Sequence, residues 1–175
     1  MQLPMLDDDV AAGAEFSPCR TWRYRLWREW DASKRHAMFL MLNPSTADET
    51  VNDPTVAKCQ KWAREWGYGG ITVCNLFAFR ATDPSDMKAA PDPVGPDNDE
   101  IIVDCASTCG PIVCGWGVHG SHLDRDRHVL IMLQELGYRL MCLKVTKHGH
   151  PHHPLYLRGD SVPIPYEPNK ESRHA

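Results

Sequence analysis

Four short apolar runs, HAMFLML (36–42), ITVC (71–74), PIVCGW (111–116) and RLMCLKV (139–145), each pass directly into a polar loop. Runs this short read as buried strands, and the stretches between them carry helix signals, so the order is β-α-β-α-β-α-β. In the first stretch Asp53-Pro54 starts a helix, and Val56, Cys59, Trp62, Ala63 and Trp66 share its apolar face. Gly67 and Gly69-Gly70 stop it. Two more helices are expected over 98–107 and 124–136. Strands joined by helical crossovers run parallel and are covered on both faces. The expected fold is therefore α/β, a three-layer αβα sandwich with a central, mainly parallel four-stranded sheet.

One domain is expected over residues 19–160, because a chain of 175 residues suits a single core. The segment CRTWRYRLWREW should edge the sheet, with Trp22, Tyr24 and Leu26 on one face and Arg23 and Arg25 on the other. Residues 1–18 lack periodicity and 161–175 are rich in proline and charge, so both ends read as tails. No apolar run nears the ~20 residues of a membrane helix, and the acidic start is unlike a signal peptide. A cytoplasmic, monomeric protein is expected. Most of the seven cysteines sit in apolar stretches as small hydrophobes, so no disulfides are expected.

In parallel sheets the ligand crevice lies beyond the carboxyl ends of the strands. That rule selects four loops, Asn43–Asp53, Asn75–Pro84, Trp116–Arg127 and Thr146–Tyr156, which hold most of the conspicuous polar residues. Several chemistries lose support there. No CxxC or other zinc spacing accompanies the histidines of TKHGHPHHPLYL, so no metal or cofactor is expected. Neither GxGxxG nor GxxxxGK[ST] occurs, and LNPSTA around Ser45 is not a GxSxG elbow. What remains is an asparagine after the first strand, another at the end of the second, and histidines after the fourth. Such groups suit holding a water, reading a planar base and stabilising a leaving anion. The net charge of −4 argues against binding nucleic acid by bulk charge, yet leaves room for a local basic cleft.

The segments LNPSTADETVNDPT, NLFAFRATDP, DPVGPDND, WGVHG and TKHGHPHHPLYL, in that order over about Cys19 to Tyr156, resemble the bacterial and phage domain-of-unknown-function family 1643. More distantly, strand-LNPS, strand-NLFAFRATDP, strand-GWG and a final HPLY loop resemble, in order, the motifs of the uracil-DNA glycosylase superfamily. That likeness implies a DNA glycosylase acting on uracil or another modified base, on a parallel αβα sandwich. Carried over, Asn43 would position the attacking water, with Asp48 or Asp53 assisting. Asn75 and Phe77 would bind the base, and His153 or His150 would stabilise the leaving group. Arg80 with Asp83-Pro84 resembles a turn of the iron–sulfur members, whose four-cysteine pattern is absent here. Ser45, Thr46, Arg80, Arg125, Arg127 and Lys147 are the candidates for phosphate or DNA contact. The expected partner is DNA, single-stranded or carrying modified bases, or a nucleotide. The alternative is a protein that binds or processes nucleic acid or nucleotides on the same fold without glycosylase activity.

Overall fold

The computed structural model describes residues 9–168. Its elements are β1 (Ala11–Phe16), β2 (Arg23–Glu29), β3 (His36–Met41), α1 (Pro54–Glu65), β4 (Gly70–Asn75), α2 (Pro84–Ala89), α3 (Asn98–Thr108), β5 (Ile112–Cys114), α4 (Arg125–Glu135), β6 (Leu140–Cys142) and β7 (Ile164–Pro165). The strands form one sheet in the order β1-β2-β4-β3-β5-β6-β7. The central β4, β3, β5 and β6 are mutually parallel, while β1, β2 and β7 add antiparallel edges. The sheet therefore has seven strands instead of four, and the additions pair edges that would otherwise present open hydrogen-bonding groups.

Alternation along the parallel strands makes two cores. Ala37, Phe39, Met41, Ile71, Val73 and Val113 pack under α1, with Val56, Cys59, Trp62 and Ala63. Met38, Leu40, Cys74, Ile112, Cys114, Leu140 and Cys142 face α3 and α4 on the other side. Burial on both faces explains why these strands read as unbroken apolar runs.

The ends depart from the expected tails. Ala11–Phe16 is a strand because it pairs the outer edge of β2, and Gly13 gives room there, since a Cβ would lie 2.1 Å from the Trp27 ring. Beyond residue 160, β7 pairs β6, and the buried Tyr166 packs edge-on against Trp116 while its hydroxyl donates to Gly149 O. The remainder of both expected tails, 1–8 and 169–175, lies outside the described residues.

The edge strand departs too. The β1–β2 register shifts between Glu15 and Phe16, leaving Tyr24 without a partner opposite, and Arg23 and Arg25 go to different sides. Arg25 reaches Asp104 on α3. Arg23 and Arg28 are buried toward the loop between β3 and α1. A bulge of this kind re-aims side chains.

Candidate functional site

From β3 the chain crosses through α1 to β4 on one side, then returns through α3 to β5 on the other side of β3. The carboxyl ends of β3 and β5 thus flank a topological switch point, where α/β sheets open a crevice. A cavity of about 640 Å³ lies there, lined from all four loops singled out by the strand-end rule. Such a volume suits a nucleotide-sized ligand.

Asn43 follows β3 directly. Its Nδ2 donates to Pro44 O at 3.1 Å and Ala81 O at 2.7 Å, and Ala81 N–H returns a bond to Pro44 O. Two carbonyl partners fix the amide orientation, so Oδ1 is left as the acceptor available in the cavity wall. Asp53 also lines the cavity, and it caps α1: Oδ1 accepts from Val56 N at 2.8 Å, with Pro54 as the first helical residue. The helix-start reading of Asp53 thus holds, and a carboxylate at a helix N-terminus is favoured by the dipole; its place in the wall leaves it able to serve a site as well.

The loop holding these groups is braced from behind by the two buried arginines. Arg23 donates to Ala47 O at 2.9 Å and to Asn75 Oδ1 at 3.4 Å. Burial pushes its guanidinium down to about 10. Arg28 spends its donors on Asn52 Oδ1, Gly13 O, Trp27 O, Asp48 O and Val51 O. A buried guanidinium is tolerable only when its donors find acceptors, and here most of those acceptors belong to residues 47–52.

On the opposite bank, Gly115 lets the last loop settle on the end of β5: a Cβ there would lie 2.8 Å from Pro154. Gly117 N–H donates to Pro151 O. His153, half-buried, accepts on Nδ1 from Leu155 N at 3.2 Å, so its proton sits on Nε2. Burial holds its imidazole below the ordinary value, against the pull of the nearby Asp53. The ring is thus a neutral N–H donor in the cavity wall. His150 is held elsewhere: Thr146 N–H bonds its carbonyl, its own N–H bonds Thr146 Oγ1, and Gly149 closes the turn with φ 86°. Between the two expected histidines, His153 lines the cavity and His150 does not.

Ser45 and Thr46 line it as well. The other expected residues stand apart from its wall. Asp48 turns its own loop, accepting from Thr50 and Val51 N–H. Asn75 and Phe77 are buried behind the wall, Asn75 through its bond from Arg23 and Phe77 against His122. Arg125 is no surface phosphate contact: it is buried, donates to Leu76 O and pairs with Asp99 at 2.6 Å. Arg80 lies over the Phe16 ring, and Arg127 and Lys147 are outside the lining. Among the described residues, no Lys or Arg lines the cavity.

Residues 23–155 match the family described as protein of unknown function DUF1643. The chain belongs to that family. No curated protein and no solved structure matches it. The match spans every residue in the wall of the DUF1643 cavity except Tyr156, one position beyond its end. Tyr156, Thr55, Thr82 and His119 are lining residues that the sequence does not single out, and His152, which the sequence offers only among the histidines weighed for a metal, lines it too. The strand-end rule already enclosed most of them; His119 of WGVHG sits just after β5, and its position was the available signal.

Proposed function

We propose that this chain hydrolyses the N-glycosidic bond of uracil or another modified base, presented as an unpaired nucleotide. One observation carries the reading: Asn43, Asp53 and a neutral His153 converge on one nucleotide-sized cavity at the switch point of a parallel sheet. As the glycosidic bond stretches, the sugar becomes cationic and the base departs as an anion. His153 Nε2–H donates to the carbonyl of the leaving base, stabilising charge that exists mainly in the transition state. Asn43 Oδ1 orients the water, and the Asp53 carboxylate takes its proton as the new C–O bond forms. Asn75 is too deeply placed to read a base directly; its role is to hold Arg23 and, through it, the loop.

A lining without a basic side chain among the described residues favours a second reading, binding or processing of a free nucleotide without base release. Duplex DNA is held by rows of Lys and Arg, and among the described residues the cavity wall has none. A panel of deoxynucleosides, deoxynucleotides and single- and double-stranded oligonucleotides bearing uracil, hypoxanthine or hydroxymethylated bases separates the readings. Free base in the chromatogram, greater from unpaired than from duplex substrates, is expected. Saturable binding with no base released would leave the second reading in its place.

A further inference from the structure

The reaction outlined above uses Asn43, Asp53 and His153 and leaves the wall around His119 without a task. There His119, which lines the cavity just after β5, meets Lys88 of α2, whose Nζ lies 2.9 Å from His119 Nδ1. An ammonium has only donors, so Nδ1 is the acceptor and the ring proton sits on Nε2. His119 is thus a second neutral imidazole with an N–H donor in this cavity. Its pKa is lowered by burial first and by Lys88 next. The two histidines belong to different layers. His153 stands near Asp53 at the start of α1, whereas α2 packs through Met87 into the core shared with α3 and α4.

We propose that His119 and Lys88 form an anion-binding end of the cavity that takes the single phosphate of a nucleotide, while the base lies at the His153 end. The inference rests on the nucleotide reading above and narrows it to a substrate carrying one phosphate near the reacting sugar. His119 Nε2–H supplies one donor, and Lys88 keeps two of its three N–H groups after bonding Nδ1. Thr82, in the adjoining wall, adds a hydroxyl. One ammonium bound to one lining side chain matches one phosphate, not a polyanionic backbone. Asp83 sits close enough to raise the His119 pKa, but its carboxylate is engaged by Ser85 N and Oγ at 2.8 Å each.

The test has two arms. In the first, the His119 ring signals are titrated by NMR in chloride and in inorganic phosphate. A bound phosphate raises the His119 midpoint by about one unit, because a nearby anion favours the imidazolium, and Lys88→Gln abolishes the rise. In the second, calorimetry compares deoxyuridine with deoxyuridine monophosphate. The monophosphate is expected to bind about tenfold more tightly or better, and Lys88→Gln to bring its affinity down to that of the nucleoside. Lys88 is exposed on a short helix, so the substitution spares the fold. Equal affinities with an unmoved His119 midpoint would overturn the anion end while leaving the base site standing. A phosphate-dependent midpoint without any nucleoside binding would uphold the anion end and reject the base reading.

Discussion

The two banks of the cavity are built in opposite ways. The β3–α1 bank, with Asn43 and Asp53, is pinned from behind by two buried arginines and a helix cap, and few of its polar groups lack partners. The bank formed after β5 and β6 places Val118, Leu155 and Tyr156 at the rim, with Tyr156 76% exposed. On the proposed reading, the groups that hold the water sit on the braced side, while the side that meets the ligand keeps exposed apolar surface. Preorganisation is worth most where charge develops, and an apolar rim suits the flat face of a base.

Asp53→Asn separates chemistry from architecture on the braced bank. Asparagine caps a helix about as well as aspartate, so thermal stability should hardly move, while single-turnover base release falls ~10³-fold with the loss of the general base. A variant with unchanged rate would remove Asp53 from the reaction. Arg28→Met asks whether the bracing matters. It strands buried carbonyls at Gly13, Asp48 and Val51, and should cost roughly 3 kcal/mol in denaturant unfolding. A loss under ~0.5 kcal/mol would mean that the loop holds itself.

Acid should weaken the opposite bank. The folded-state pKa of His153 lies below the ordinary 6.5, so the unfolded chain binds a proton first. Its contribution to stability is complete above about pH 6.5 and is lost as the pH falls through the lower folded value. His153→Gln should flatten that part of the stability curve, and an NMR midpoint for His153 at or above 6.5 would contradict the assignment. The smallest effect belongs to the rim: Tyr156→Ala should weaken binding of a deoxynucleotide by about tenfold and leave the melting temperature nearly unchanged.

The same contrast explains what could be read in the sequence. The four parallel strands and three principal helices were legible because burial on both faces leaves unbroken apolar runs between clear stop signals. The rule that crevices open at strand ends brought out Asn43, Asp53 and His153 as residues of the cavity wall. Arg23 and Arg28 were not legible, because an arginine in an alternating strand reads as a solvated charge until the acceptors of residues 47–52 fold around it. The seating of His153 and not His150 likewise depends on the Gly115–Pro154 contact and the turn closed by Thr146, neither of which has a local signature. Strands β1 and β7 escaped notice because their pairing is decided by the edges they meet, not by their own composition.

The central claim is that a neutral donor on the last loop stabilises the departing base, and it is tested most directly by single-turnover base release from His153→Ala and His150→Ala side by side. The account predicts a loss of ~10²-fold or more for His153→Ala at unchanged ligand affinity, and a wild-type rate for His150→Ala. Full activity in His153→Ala, or a loss confined to His150→Ala, would contradict it.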